Sequence, residues 1–154
     1  MITDIIEDKE YRNLIQEQIQ DIIDYLIVNN EEFSITANIK GVKFTPEIPE
    51  SIADSFANFT MFTLSNYTYS TIQINEKDIS FEAGFGSENF GALVTIPLYA
   101  IFQLVVNDSI LFINPTATVE KYFLKENIDE SDEGQQKRSR SAFSMNPRNK
   151  DLID

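Results

Sequence analysis

The sequence predicts an α+β domain, in which one N-terminal helix precedes a strongly bent antiparallel sheet pair or a small barrel. Apolar residues recur at helical spacing over about residues 8–29 and alternate at strand spacing over segments between residues 33 and 113. With 154 residues, 42% of them apolar, the chain can form one domain with a packed core. We expect a folded domain over residues 1–122 and a flexible, disordered tail over residues 123–154.

The helix is predicted over about residues 8–29. Its apolar residues are spaced three and four apart, so they share one stripe of a helix: Tyr11, Leu14, Ile15, Ile19, Ile22, Ile23, Leu26 and Ile27. Asn29-Asn30 ends the pattern. The stripe is wider than a helix on one small sheet requires. It either packs entirely on the domain's own core or also forms a self-association surface.

Strand patterns follow the helix. Phe33–Ile39 alternates apolar and polar residues, which indicates one buried and one solvated face. Gly41 predicts a bulge or tight turn before a short extension over Val42–Phe44. Residues 45–49 form a proline-bounded loop, and residues 52–58 fit either a helical turn or irregular chain.

Four further strands are predicted in the second half of the domain: Phe59–Leu64, Tyr67–Ile74, Ile79–Phe85 after a hairpin turn at Asn75–Asp78, and Ala92–Ile96. Pro97 suits the first position of a short helix over Leu98–Leu104, because proline has no N–H to satisfy there. Ile110–Ile113 reads as a final strand. The whole is one long helix, about six strands and a short second helix.

The residue types available argue against catalysis. The chain has no cysteine and no histidine, which removes disulfides, thiolate chemistry, the commonest general base and the commonest metal ligand. An enzyme would have to use carboxylates, lysine, tyrosine, serine or threonine alone. We therefore expect a protein that is not an enzyme and that needs no cofactor and no metal.

The charge distribution limits the classes of partner that the chain is expected to bind. The net charge is −13, and residues 1–120 carry the whole excess, since residues 121–154 hold equal numbers of each sign. Such an acidic body repels phosphate backbones, so no direct nucleic-acid binding is expected. The acidic N-terminus is unlike a signal peptide, and no apolar run reaches membrane-spanning length. We expect a soluble cytoplasmic protein without membrane contact.

A glycine-rich hairpin within Ile72–Pro97 is the most informative stretch. Gly84, Gly86 and Gly91 leave backbone uncovered in a predicted sheet, so another chain could approach it closely. A phosphate-binding loop is excluded because the glycine spacing is wrong and no lysine follows. The stretch therefore indicates binding rather than catalysis.

One short segment with apolar residues, Arg140–Met145, interrupts the polar composition of residues 125–154. Arg140–Met145 places two large apolar residues beside basic charge. It is either a chance product of tail composition or a short docking motif at the end of a flexible tether.

Two segments carry a family resemblance. The segment Phe81-x-Ala83-x-Phe85-Gly86 and the tripeptide Ile96-Pro97-Leu98 resemble the stringent starvation protein B family, adaptors that deliver tagged proteins to the ClpXP protease. The resemblance covers roughly residues 10–122 and the character of the tail. It implies an Sm-like pair of bent sheets and a homodimer formed through the N-terminal helix. The corresponding dimer contacts are Leu14, Ile15, Ile19 and Ile22.

The resemblance also implies two binding sites. A groove would hold the extended ssrA degradation tag, with these residues contacting the peptide: Tyr67, Thr68, Tyr69, Phe81, Glu82, Ala83, Gly84, Phe85 and Gly86. The tail would dock on the N-terminal domain of the ClpX unfoldase through Arg140, Ala142, Phe143 and Met145. No catalytic residue is implied.

The chain departs from the family pattern at Gly84, where members carry arginine, and at Glu82, where they carry small neutral or polar residues. The connection from Gly86 to Val94 is longer than expected, and nine residues follow the segment Arg140–Met145. An acidic groove would repel an acidic tag, so a less acidic tag is expected. Two alternatives stay open: a peptide- or protein-binding module unrelated to proteolysis, and a small carboxylate-dependent enzyme.

Overall fold

A computed structural model describes residues 4–124. The chain divides into two compact units, Met1–Val119 and Glu120–Asp154. In the described part of the second unit, Glu120–Phe123 forms one 3-10 turn. The tail docking motif at residues 140–145 lies outside the described residues.

The described part of the first unit, residues 4–119, contains a long α-helix, two short α-helices and eight strands. The helices are α1 (Lys9–Val28), α2 (Glu50–Ala53) and α3 (Asn66–Ser70). The strands are β1 (Phe33–Asn38), β2 (Lys43–Thr45), β3 (Phe59–Leu64), β4 (Gln73–Ile74), β5 (Asp78–Phe85), β6 (Phe90–Pro97), β7 (Ile101–Val106) and β8 (Ser109–Ile113).

The strands form two antiparallel sheets of four. Sheet A has the order β3-β1-β7-β8, and sheet B has the order β2-β6-β5-β4. The predicted α+β class, with an N-terminal helix and two antiparallel sheets, is confirmed. Within residues 4–124 no ladder joins the two sheets, so a closed barrel is not shown.

The chain crosses between the sheets four times within the described residues, and two of the crossings are 3-10 turns. Ile39–Gly41 links β1 of sheet A to β2 of sheet B, where the sequence predicts a tight turn at Gly41. Leu98–Ala100 links β6 of sheet B back to β7 of sheet A. The first turn is stabilised by Asn38, whose side chain accepts a hydrogen bond from the Lys40 N–H at 3.0 Å.

The core lies between the inner faces of the two sheets. Phe62 of β3 and Phe81 of β5 meet there with ring centroids 5.9 Å apart. Both rings are buried, together with Ile35, Leu64, Ile79, Val94, Ile96, Ile101 and Leu104. Burying these side chains is the main favourable contribution to folding, at roughly 1.5–3 kcal/mol each.

Helix α1 forms where its apolar stripe predicts. Its first turn is capped by Asp8, whose carboxylate accepts a hydrogen bond from the Tyr11 N–H at 3.0 Å. It packs against the turn Leu98–Ala100, and the Arg12 guanidinium lies 4.8 Å from the centre of the Tyr99 ring. Its buried residues are Ile15, Ile19, Ile23 and Leu26.

The predicted helix over Leu98–Leu104 is wrong. The helical geometry is limited to the 3-10 turn Leu98–Ala100, and the chain then continues as β7. Pro97 fits the start of a 3-10 turn as well as that of an α-helix, since it lacks an N–H in either case. Because β7 pairs with both β1 and β8, its backbone groups are satisfied in the sheet.

The predicted strand over Tyr67–Ile74 is also wrong. Its first half belongs to the short helix α3, and its end, Gln73–Ile74, is strand β4. The strand preference of these residues is overridden by one long-range and one local hydrogen bond between side chains and the backbone of α3. The Asn66 N–H donates to the Glu32 carboxylate at 2.9 Å, and the Ser70 hydroxyl donates to the Tyr67 carbonyl at 2.6 Å.

Strand β6 is longer than predicted and changes the hairpin. The strand predicted over Ala92–Ile96 spans Phe90–Pro97 in the structure, and Phe85 pairs with Phe90. The long connection expected from Gly86 to Val94 is therefore a four-residue turn followed by a continuous strand.

Among residues 4–124, no helix is long and apolar enough to cross a membrane.

A buried asparagine joins the turn Leu98–Ala100 and the start of β7 to the segment after β8. The Asn114 amide nitrogen donates to the Tyr99 carbonyl at 3.1 Å and to the Ile101 carbonyl at 2.8 Å. Its side-chain oxygen accepts from the Thr116 N–H at 2.9 Å and from the Thr116 hydroxyl at 2.6 Å. Asn114 is fully buried, so these bonds replace water for every polar atom involved.

We expect Asn114→Asp to lower the free energy of unfolding by about 3 kcal/mol or more, because a carboxylate would face two buried carbonyl oxygens. Urea unfolding followed by circular dichroism measures this. The matched control is Asn13→Asp, since Asn13 is exposed on α1 and its side-chain oxygen already acts as the acceptor from Gln16. Equal stability of the two variants would contradict the assigned role of Asn114.

Candidate functional site

The outer face of sheet B presents a groove because β5 alternates strictly. Ile79 and Phe81 are buried, whereas Glu82 and Gly84 are exposed on the opposite face. On the inner side Phe85 packs among half-buried rings, with its centroid 5.5 Å from that of Phe44. The inward residues of β5 therefore fix the strand in the core, while its outward residues face solvent.

Pairing between strands determines which residues form the floor of the groove. Glu82 lies opposite Leu93, and Leu93 lies opposite Thr45 of β2. Gly84 lies opposite Gly91. Directly paired residues share a face of a sheet, so these side chains converge on one surface. The groove has a volume of about 600 Å³ and is lined by Thr45, Tyr67, Thr68, Glu82, Ala83, Gly84, Asn89, Gly91, Ala92 and Leu93.

Helix α3 forms one wall of the groove. The Tyr67 hydroxyl donates to the Glu82 carboxylate at 2.7 Å, although the Tyr67 ring is 67% exposed. A second bond joins the same elements: the Glu82 N–H donates to the Thr71 hydroxyl at 2.9 Å. The Thr71 hydroxyl in turn donates to the Thr68 carbonyl at 2.7 Å. These bonds hold the end of α3 against β5.

The edge of β5 beside α3 is available for pairing. Strand β4 pairs with β5 at Ile79 and Ser80, and within residues 4–124 no strand pairs with that edge beyond Ser80. The Glu82 N–H points to this edge, because it bonds Thr71 rather than β6. Backbone direction repeats every second residue, so Gly84 directs its N–H and C=O to the same edge. An extended peptide could add there as a strand.

The two paired glycines have different surroundings. A Cβ added at Gly91 would meet no atom within 4 Å, so this part of the groove floor is open. A Cβ added at Gly84 would collide with the side chain of Asn89, which folds over it from the hairpin turn. A longer side chain at this position would therefore displace Asn89.

The groove is negatively charged at one point. Among the described residues that line it, Glu82 is the one charged side chain. Its hydrogen bond and its negative charge raise the pKa of Tyr67 above 10.0. Tyr67 therefore stays a neutral hydrogen-bond donor throughout the physiological range. A ligand carboxylate placed here would meet the Glu82 charge without a compensating cation.

Five of the nine predicted peptide-contacting residues line this groove: Tyr67, Thr68, Glu82, Ala83 and Gly84. The other four lie elsewhere. Phe81 is fully buried, and Phe85 belongs to the inner aromatic cluster. Gly86 lies in the hairpin turn with φ of 76°. Tyr69, on a helix rather than on the predicted strand, packs edge-on against Phe33 at 6.3 Å.

Five lining residues are absent from the predicted peptide contacts, although Gly91 was noted as uncovered backbone: Thr45, Asn89, Gly91, Ala92 and Leu93. The alternation of β6 could have identified Gly91 and Leu93, since they are the exposed residues flanking buried Ala92. Thr45 had no such signal, because its position depends on pairing between β2 and β6, which are distant in sequence.

The four predicted dimer contacts on α1 occupy different positions. Ile15 and Ile19 are buried within the chain itself, at 8% and 0% exposure. Leu14 is 60% exposed, and Ile22 is half-buried. Of the four, Leu14 and Ile22 are the ones that solvent reaches. The predicted tail contacts Arg140, Ala142, Phe143 and Met145 lie outside the described residues.

Among residues 4–124, no group of three or more acidic side chains is arranged to hold a metal ion. Comparison of the chain with protein-family models and with curated proteins finds no match.

We expect Glu82→Gln to lower the pKa of Tyr67 toward 10, because the substitution weakens the hydrogen bond that favours the neutral phenol and removes the negative charge that disfavours the phenolate. Carbon-13 NMR of labelled tyrosine side chains against pH measures the change. Tyr69 is the internal control: burial first, then Glu32 and Glu31, raise its pKa, so it should titrate as before. An unchanged Tyr67 titration would show that the Tyr67–Glu82 bond does not form in solution.

Proposed function

We propose that this chain is a non-catalytic cytoplasmic adaptor that binds extended peptides in the groove between α3, β5 and β6. The observation that carries the proposal is the open edge of β5 at Gly84, bordered by Tyr67 and an uncovered Gly91. By the family resemblance, the peptides are ssrA-type degradation tags, delivered to ClpXP by a domain whose bent sheets have an Sm-like arrangement.

The peptide would pair with β5 as an added strand. Gly84 supplies a backbone donor and acceptor at the open edge, and Glu82 supplies a carbonyl two residues earlier. Alternate side chains of the peptide would point to the outer face of sheet B, where the paired Gly84 and Gly91 leave a low floor over which a side chain can reach. Each such contact is weak, so binding depends on several residues together.

The charge of the groove selects among peptides. A peptide carboxylate about 4 Å from Glu82 would cost about 1 kcal/mol in water, or about a fivefold loss of affinity. The family's best-known tag contains acidic residues, whereas this groove favours a neutral or basic segment at that position. The substrate would therefore be a tag whose residues near Glu82 are not acidic.

Delivery would depend on the tail. A docking motif at residues 140–145, tethered to a bound substrate, would raise the effective concentration of that substrate at the unfoldase. In a bivalent assembly, this effect can raise the avidity by roughly 10²–10⁴.

A second candidate function is a peptide-binding module unrelated to proteolysis, favoured by the acidic Glu82 that departs from the family pattern. Deleting residues 125–154 separates the two: an adaptor delivers substrate as the full chain and loses delivery but not peptide binding on deletion, whereas the module never delivers substrate and keeps its peptide binding.

We expect Gly91→Val to weaken peptide binding at least about tenfold while leaving the free energy of unfolding equal or about 0.5–1 kcal/mol higher. The valine methyl groups would occupy open groove volume, and valine suits a strand better than glycine does. Fluorescence anisotropy with a labelled ssrA-tag peptide, and with the same peptide after its acidic residues are changed to amides, measures the affinities.

Thr95→Val is the matched control, because Thr95 lies on the same strand and the same face but outside the groove lining. It should bind both peptides as the unmodified chain does. Undiminished binding by Gly91→Val would exclude the groove as the site. Equal binding of both peptides would leave the groove in place and exclude the proposed charge selection.

A further inference from the structure

Helix α3 covers the edge of β5 at Glu82 and leaves it open at Gly84. The Thr71 hydroxyl accepts the hydrogen bond of the Glu82 N–H at 2.9 Å, so this backbone donor is already satisfied. Within residues 4–124, no strand pairs with Gly84 on that side. An added strand would therefore begin its pairing at Gly84, whose N–H and C=O both point to the edge.

Sheet geometry places one side chain of such a peptide close to Glu82. In an antiparallel pair, directly opposite residues project their side chains on the same face, so the peptide residue paired with Gly84 points to the outer face of sheet B. Its diagonal neighbour on β5 is Glu82, two residues away on the same face. Diagonal neighbours lie roughly 7–8 Å apart, which a long side chain can span. A long residue at this one peptide position therefore reaches Glu82.

The floor beside this position admits a long side chain. Gly84 and Gly91 lie opposite one another, and a Cβ added at Gly91 would meet no atom within 4 Å. The exposed Asn89 side chain, which lies over Gly84, borders this open surface. Leu93 lies opposite Glu82 and is 40% exposed, so it offers apolar surface beside the carboxylate. Lysine and arginine suit such a place, because their methylene stems pack on apolar surface while the charged end reaches a polar partner.

The carboxylate of Glu82 is held in place and keeps one oxygen available. Its Oε1 accepts the hydrogen bond from the Tyr67 hydroxyl at 2.7 Å, whereas its Oε2 bonds no group within residues 4–124. Lys43 shares the outer face of sheet B but lies two strands and two residues away. A side chain that is already oriented loses less conformational entropy when it binds a partner. Glu82 can therefore form an ion pair with a cation that a ligand supplies.

Two further features favour a cation at this position. The Tyr67 ring is 67% exposed beside the carboxylate, and an exposed aromatic ring adds a weak attraction for a cation. Residues 1–120 carry a net charge of −13, so the protein attracts a basic ligand at long range. Among the described residues that line the groove, none is Lys or Arg, so no cation opposes the ligand there.

We propose that the groove recognises a lysine or arginine at the peptide position paired with Gly84, and that Glu82 is the residue that selects it. This inference rests on the proposed function of the groove and narrows its ligand from a peptide without acidic residues to one with a basic residue at a defined position. The ammonium or guanidinium group pairs with Oε2 of Glu82, and the stem of the side chain lies over Gly91 and Leu93. One ion pair at a solvated surface raises affinity about threefold to fivefold.

A lysine scan of the peptide, followed by fluorescence anisotropy with the full chain, tests the proposal. The parent probe is the ssrA-tag peptide with its acidic residues changed to amides, labelled at its N-terminus so that no α-amine varies. Each position in turn carries lysine or, for comparison, glutamine. We expect one position at which lysine binds about threefold to fivefold more tightly than glutamine at about 50 mM NaCl, and less so at about 500 mM. Glu82→Gln should abolish this gain, and Glu82→Lys should make glutamic acid the preferred residue there.

Glu88→Gln is the matched control, because Glu88 is exposed in the hairpin turn but does not line the groove. It removes the same charge and should keep the gain at that position. Equal lysine gains at every position, or equal losses in Glu82→Gln and Glu88→Gln, would overturn the selection by Glu82 and leave the groove as a peptide-binding site. No binding of any peptide in the scan, or binding that Gly91→Val does not weaken, would overturn the proposed function and this inference with it.

Discussion

The packing of phenylalanine rings between the two sheets is the interaction on which the rest of the structure depends. Phe44 stacks on Phe56 at 5.6 Å, Phe85 meets both rings edge-on, and Phe62 bridges from sheet A. These contacts hold the inner side of β2 and β5 and the segment before β3. Because successive residues of a strand point to opposite sides, fixing Phe81 and Phe85 inward also fixes Glu82 and Gly84 outward. The groove is thus a consequence of the core.

The two sheets expose surfaces of different chemistry. The outer face of sheet B combines glycine backbone, a tyrosine wall and one carboxylate, which suits a short extended ligand that is bound weakly and released. The strands of sheet A, by contrast, contain no Asp, Glu, Lys or Arg. A homodimer, which the family resemblance implies, would present two grooves, so a substrate-delivery complex would gain avidity without any stronger single contact.

Much of the fold could be predicted from periodicity, and the failures have physical causes. Helix α1 and strands β1, β3 and β8 follow their apolar patterns closely. In α3, hydrogen bonds from Asn66 and Ser70 outweighed the strand preference of the tyrosines. At β7, Pro97 was compatible with two kinds of turn, and the long-range pairing that decided between them is invisible in local sequence. The same limit explains why the groove was found on α3 and β5 but missed at Thr45.

The most direct test of the central claim is a nitrogen-15 NMR titration of the labelled chain with an unlabelled tag peptide. Binding at the groove predicts the largest amide shifts at Thr68, Gly84 and Gly91, and little change at Thr36 and Gln103 of sheet A. Strand addition further predicts that the Gly84 amide becomes protected from hydrogen exchange, since it gains an acceptor. Shifts confined to sheet A, or no shifts at saturating peptide, would contradict the assignment of the groove as the peptide-binding site.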